Sequence, residues 1–445
     1  LDPFILGSSF RVHNNDADLL AKDVSACHES SCLFSMGRPL WNALLNSKKE
    51  PMTKEAIFAY AKQKLMHILD IQTVSQPGYA WSTVQVLATA GARLCLAISP
   101  ESYFTSSLVA GYMGTAFSAS RDRLSLVMGY PSEPILALAA RSLWGLNGSL
   151  TQVISSMKDI FGYGSVAKGY KGEVIVRMLN LLAIDRAMYN AMKHDMHDAT
   201  QSAIKVQGVK LRDFLEMFHR EDAPLNRAFL ESISGGDDST EDSQKETLRR
   251  LGLLDEDNVE YFDKLDDGKE SSAGDKSNDV ETILDGSVCF THFVYLAKGT
   301  SITHELLRLA YRRTAAIVVE EGRRGIDLAI PVRVDDKKDE YVGLVQQVKN
   351  RMADVLEPLM SASNEETHHK MNHRYFLTAN ESKTFSDAGI DMNKHWPSML
   401  FAIGADEKGT AAAKQTVRKR LRSHGSGTTR VDFPCIVLTG LGFLE

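Results

Sequence analysis

The feature that most constrains this chain is an acidic segment near its middle. Between Asp237 and Glu281, sixteen Asp or Glu stand against six Lys or Arg, a local charge of −10. The whole chain carries −6, so everything outside that segment sums to +4. Ser and Gly collect at Ser234-Gly235-Gly236 and Ser271-Ser272-Ala273-Gly274. Such a stretch buries too little apolar surface to offset the cost of ordering, so it reads as a linker, with room for one short helical turn at Leu248–Leu254. The alternative is an acidic strap that occupies a basic site when nucleic acid is absent. Four segments follow: residues 1–35 as an N-terminal segment, 36–235 as a helical domain, 236–285 as the acidic linker and 286–445 as an α/β domain.

Before the linker, apolar residues recur every three or four positions, as in Ile57, Tyr60, Ala61, Leu65 and Leu69, or Val84, Leu87, Ala88, Ala92 and Cys95. This spacing predicts amphipathic helices and, over residues 40–232, an all-helical domain of about eight of them. With 445 residues and 43% apolar composition the chain can fill two or three cores, which excludes a disordered class. A net charge of −6 argues against a histone-like coat of positive charge. The longest apolar run, Val84–Ile98, is cut by Arg93, so no membrane span is expected. Cys27, Cys32, Cys95, Cys289 and Cys435 are too few and too scattered for a disulfide framework. Their odd number points to free thiols in a reducing, intracellular compartment.

After the linker the period changes. Ile302, Leu306, Leu309 and Arg313 form a helical stripe, Ala315 to Val319 is a β-branched run, and Ile326, Leu328, Ile330 and Val332 alternate. A second alternating run covers Tyr341 to Lys349, a helix is expected from Arg351 to Leu359, and strand, helix and strand follow at 398–403, 411–421 and 433–439. The order is α-β-β-β-α-β-α-β. It predicts an α/β domain with a mixed sheet, and an α+β chain overall.

Three polar residues stand out in that domain. Asp327 lies on the face opposite Ile326 and Leu328, and Gln347 and Lys349 share one face of the next strand, because strand side chains alternate. If the polar tip Asp335-Asp336-Lys337-Lys338-Asp339 turns about Lys337, Asp327 and Gln347 are each ten residues from the centre and stand opposite. Each would cost roughly several kcal/mol if buried unpaired, so a function is the economical explanation. A carboxylate and an amide oxygen suit a hard cation such as Mg²⁺ or Mn²⁺, and a lysine ammonium can stabilise a phosphorane-like transition state or orient the attacking water.

Asp327 followed by Gln347-Val348-Lys349 on successive strands resembles the signature of the restriction-endonuclease-like PD-(D/E)xK superfamily, in the variant with Gln at the usual Glu. That resemblance implies restriction-endonuclease-like topology and a further acid from the preceding helix, for which Glu305 occupies the matching place. It implies Asp327, Gln347, Lys349 and Glu305 as catalytic residues, with Asp327, Gln347 and Glu305 on the metal. The run from Arg312-Arg313-Thr314-Ala315-Ala316 through Gly325–Val332 to Gln347-Val348-Lys349-Asn350 resembles more narrowly the nuclease modules of Crinkler-type and retrotransposon-hotspot-type proteins. The box Gly37-Arg38-Pro39-Leu40-Trp41 is similar to the segment that follows their ATPase core. No G-x-x-x-x-G-K-[ST] is present, so this chain has no P-loop. An ATPase is expected either upstream of Leu1 or lost from the lineage.

Structural readings compete for the same residues. Glu305 could pair with Arg308 or Arg312 on its own helix, Asp327 could neutralise Lys349 across the hairpin, and Gln347 could be a satisfied amide. Lys414, Arg418, Lys419, Arg420 and Arg422 give the penultimate helix a basic face suited to nucleic-acid phosphates, or to solvent. His369 and His373, beside His368, have the spacing of a helical metal pair but lack a third ligand.

Two functions from different classes survive. One is a metal-dependent nuclease acting on DNA or RNA, of the Crinkler-like effector type. The other is a catalytically silent fungal or oomycete-type effector. It would be secreted into a host cytoplasm or nucleus, act there by binding a host protein in virulence, and be open to recognition by a host immune receptor.

Overall fold

The computed structural model describes residues 22–76, 78–100, 102–121, 125–146, 149–162, 171–192, 204–218, 282–296, 299–319, 326–335, 338–349, 398–402 and 435–438. Helices dominate the N-terminal part. In chain order they are α1 (Val24–His28), α2 (Ser30–Leu33), α3 (Pro39–Leu45), α4 (Lys54–Met66), α5 (Thr83–Leu94) and α6 (Tyr103–Gly111). A hairpin of β1 (Thr115–Ala119) and β2 (Leu126–Gly129) intervenes before α7 (Pro134–Trp144), α8 (Ser149–Gly162) and α9 (Lys171–Met192).

Local chemistry explains where these helices begin. Thr53 Oγ1 accepts from Ala56 N–H at 3.2 Å ahead of α4, and Ser82 and Gln85 form a reciprocal capping box at α5. Pro39 and Pro134 occupy first-turn positions, where a missing N–H costs nothing. Alternating small and large residues bury α5 and α7 almost completely; Val86, Leu87, Leu94, Ile135, Leu138 and Leu143 are all sealed from solvent. Arg93, the residue that interrupts the longest apolar run, is itself fully buried. Its guanidinium pairs with Asp185 at 2.8 Å, donates to the Thr291 carbonyl at 3.2 Å and stacks over Trp144. Among the described residues no helix is long and apolar enough to cross a membrane.

The expectation of an all-helical region over residues 40–232 requires correction, by the β1–β2 hairpin and by a two-residue strand at Val209–Lys210. β1 and β2 pair antiparallel from Thr115↔Gly129 to Ala119↔Leu126, with an irregularity between Ala116 and Ser118. Five residues, mostly at the surface, are too few to write a period of two into the sequence.

The remaining elements are β3 (Val209–Lys210), α10 (Leu211–Glu216), β4 (Ser287–Val288), β5 (His292–Tyr295), α11 (His304–Arg312), β6 (Ala315–Val318), β7 (Leu328–Asp335), β8 (Glu340–Lys349), β9 (Ser398–Ala402) and β10 (Cys435–Leu438). The chain forms two units. The first comprises the described residues within Leu1–Val209, Cys289–Thr300 and Arg308–Glu321, and the second those within Lys210–Val288, Ser301–Leu307 and Gly322–Glu445. The first is therefore not purely N-terminal: it holds the parallel pair β5 and β6, with His292↔Ala315 and Tyr295↔Val318 in register.

In the second unit the strand order is β10-β9-β8-β7-β4. β7 and β8 are antiparallel, whereas β8, β9 and β10 are parallel. The sheet is thus mixed and the chain is α+β, with a helical N-terminal region. Ile330, Val332, Leu344 and Val345 seal the centre of this sheet. Parallel neighbours require a long crossover, and the stretch between β8 and β9 that holds the helix expected at 351–359 lies outside the described residues.

Candidate metal centre at the mouth of a strand hairpin

The pairing of β7 with β8 places the polar residues singled out above. Leu328↔Gln346, Ile330↔Leu344, Val332↔Val342 and Arg333↔Tyr341 all turn about position 337, and the register slips only after Arg333, where Asp335 meets Glu340. Asp339 closes the turn with a positive φ of 53°, a conformation that Asp tolerates better than most residues. One step before Leu328, Asp327 lies across from position 347. Alternation assigns positions 347 and 349 to the same face of the hairpin.

Asp327 is half-buried and bridges the ends of both strands. Its N–H donates to the Gln346 carbonyl at 2.9 Å. Its Oδ2 accepts from the backbone N–H of Val348 at 2.6 Å, a short, charge-assisted bond. The carboxylate is therefore held between positions 347 and 349. β9 continues the platform, pairing Leu400 with Gln347 and Ala402 with Lys349.

Sequence reasoning passed over Gln346, which is fully buried on the opposite face and donates through Nε2 to Met399 Sδ at 3.5 Å. The signal was the Gln-Gln pair itself: in a strand, adjacent amides face opposite ways, so one had to enter the core. His304 was passed over as well. Its Nε2 accepts from Tyr341 N–H at 3.1 Å, which ties the first turn of α11 to the start of β8.

That contact fixes the helix turn that carries Glu305. Its neighbour His304 sits against Tyr341, six residues from Gln347, and at 3.2–3.4 Å per residue this is about 20 Å along the strand. Glu305, the next residue of α11, is exposed. Among the described residues no group of three or more His, Cys, Asp or Glu side chains is arranged to hold a metal ion. Asp327 is the carboxylate that the hairpin register brings to this end of β7. This suits Mg²⁺, which keeps several waters and needs only one or two carboxylates.

The Gly37–Trp41 box has a structural explanation. Glu133, at the start of α7, is 1% exposed and receives Arg38 Nη2 at 2.7 Å, Arg38 Nε at 2.8 Å and Trp41 Nε1 at 2.9 Å. Gly37 has φ +88°, and a Cβ there would run into the Glu133 side chain. A second buried network in the same unit left no sequence signal. Ser132 Oγ lies 2.9 Å from His292 Nε2, Thr291 Oγ1 lies 3.0 Å from His292 Nδ1, and Arg313 Nη2 donates to the Ser132 carbonyl at 3.1 Å. Burial, with Arg313 and Arg93 nearby, pulls His292 down from the ordinary histidine value to about 3. It is neutral at physiological pH and sealed from any substrate. These groups hold the core together.

The basic residues Lys414, Arg418, Lys419, Arg420 and Arg422, the histidines His368, His369 and His373, and the acidic segment all lie outside the described residues.

No curated protein and no solved structure matches the chain. One family model matches residues 80–218 and 249–397, segments that contain α5, α7, Asp327, Gln347 and Lys349 but not the Gly37–Trp41 box or the basic stretch. Together they cover more than half of the sequence, and the chain belongs to the family described as a domain of unknown function, DUF8736.

Proposed function

We propose that the second unit is a nuclease-like module of the Crinkler effector type, acting on a phosphodiester of DNA or RNA. Asp327 and Gln347 would hold one Mg²⁺ or Mn²⁺, and Lys349 would stabilise the charge that develops on the phosphorus oxygens. A divalent ion bound there would polarise the phosphate and lower the pKa of an attacking water. The observation that carries this reading is the hairpin register, which sets the half-buried Asp327 opposite position 347, with its carboxylate on the N–H of Val348. Restriction-endonuclease-like topology is supported by the antiparallel β7–β8 hairpin followed by a parallel β9. Lys414, Arg418, Lys419 and Arg422 would contact the nucleic-acid backbone.

The test is cleavage of single- and double-stranded DNA and RNA in Mg²⁺, Mn²⁺ or EDTA. Wild type should cleave at least one substrate with metal, and Asp327→Asn and Lys349→Ala should not. A second reading, a catalytically silent effector acting in a host cell through protein contacts, is favoured by the absence, among the described residues, of a cluster of three or more side chains able to hold a metal ion. It predicts no cleavage by wild type under any of these conditions.

A further inference from the structure

β1 and β2 form a two-stranded antiparallel sheet of their own. The side of β2 that faces away from β1 is occupied from within the chain, where Leu126 N–H donates to the Pro100 carbonyl at 2.9 Å. β1 has no such neighbour: among the described residues, Thr115, Ala116, Ser118 and Ala119 make no backbone hydrogen bond outside their pairing with β2. Ala116, Phe117 and Ala119 are exposed, Phe117 by 36%. The irregularity between Ala116 and Ser118 explains why two successive side chains face water, since an extra residue in one strand re-aims it locally. β1 is thus an open sheet edge with an aromatic ring at its centre.

Such edges are commonly blunted by lysine or proline, because their unpaired N–H and C=O groups are a template for another strand. β1 has neither. In a chain that is 24% charged, no Asp, Glu, Lys, Arg or Pro occurs from Ser102 to Ser120. A two-stranded hairpin is also marginal by itself, and further strands give a sheet independent stability.

We propose that β1 docks against β1 of a second copy of this chain, antiparallel across a two-fold axis, to make a continuous four-stranded sheet in the order β2-β1-β1-β2. The pairing that uses the whole strand centres on Phe117. Thr115 then faces Ala119 of the other copy, Ala116 faces Ser118, and the two Phe117 rings meet at the axis. Charge selects this occupant. A two-fold contact brings each side chain near the axis close to its own copy, so a charged residue there would meet its like. β1 meets that condition, and the first charge after it, Arg121, falls outside the ladder. A second copy also brings two strands where a peptide brings one, and its edge matches β1 in length by identity. A ladder of five residues is small, so the association is concentration-dependent rather than obligate. It is independent of any metal at Asp327.

The test uses the full chain. Sedimentation velocity over a concentration series should show wild type passing from monomer to dimer. Phe117→Lys sets two ammonium groups at the axis and should weaken the dimer on the order of tenfold or more, with an unchanged circular dichroism spectrum. Residues directly opposite in an antiparallel pair have Cα atoms about 4.5–5.5 Å apart, within reach of a disulfide. Under mild oxidation Phe117→Cys should therefore form an intermolecular disulfide, whereas Arg121→Cys, displaced from the axis on both chains, should not. These cysteine variants do not depend on the lysine variant folding. Cross-linking of Arg121→Cys as fast as of Phe117→Cys, or a dimer that Phe117→Lys leaves as strong, would overturn the proposal. A wild type that stays monomeric at every concentration would overturn it as well and leave the edge to a strand of another protein.

Discussion

Glu133 and Asp327 are both carboxylates placed one residue before an apolar element, α7 in the first unit and β7 in the second. Their surroundings differ. Glu133 is sealed from water, and both of its oxygens are occupied by Arg38, with Trp41 on one of them. Asp327 stays half-exposed, with one oxygen on a backbone N–H and the positions of an amide and a lysine across the hairpin. A buried carboxylate matched to a guanidinium and an indole is spent on holding helices together. One left at the end of a strand and half-exposed retains water access, which a cation and an attacking water both need.

The largest expected effect follows from the buried member of that pair. Glu133→Ala leaves Arg38 and Trp41 without their acceptor and should lower unfolding free energy by about 3–5 kcal/mol, read by urea denaturation. A loss below about 1 kcal/mol would show that the Arg38–Glu133 contact is ornamental and would blur the contrast with Asp327.

The next effect is pH-dependent. His292 is kept neutral in the fold down to about pH 3, whereas in the unfolded chain it takes up a proton near 6.5. Its contribution to stability is therefore complete above pH 6.5 and is lost as pH falls from there toward 3, at about 1.4 kcal/mol per pH unit. Denaturation of wild type and His292→Gln at matched pH values should show the steeper acid loss in wild type. Parallel curves would remove His292 as the acid-sensitive point of the first unit.

Asp327→Asn should change stability little, by about 1 kcal/mol or less, because the amide oxygen can still accept the Val348 N–H. A loss as large as that of Glu133→Ala would make Asp327 scaffold and close the gap between the two carboxylates. The smallest effect belongs to the basic stretch. Reversing Lys414 and Arg418 should flatten the slope of nucleic-acid affinity against salt by about one unit per lost phosphate contact, and an unchanged slope would show that these residues face solvent alone.

How much of this was written in the sequence depends on whether local pattern or tertiary docking decides. The β7–β8 hairpin was legible because Leu328, Ile330 and Val332 alternate and a polar tip centres on Lys337; the observed pairs turn about that residue. The helices around Ile57 and Leu87 were legible from their period. The surroundings of Glu305 were not legible, because they are set by its neighbour His304 docking on Tyr341, thirty-seven residues away. The Gly37–Trp41 box was noticed, but its role depends on Glu133, ninety-five residues beyond Arg38, and no local rule pairs them. β5 and β6 cluster with the helical unit for a similar reason: Arg93 reaches the Thr291 carbonyl and Arg313 reaches Ser132.

The difference between the two carboxylates is tested most directly by Mn²⁺ binding, followed by the loss of the free-ion electron paramagnetic resonance signal on titration with protein. Wild type and Glu133→Gln should each take up one Mn²⁺ per chain, and Asp327→Asn should take up none while remaining folded. Equal uptake by wild type and Asp327→Asn, or no uptake by wild type, would contradict a metal centre at the mouth of the β7–β8 hairpin.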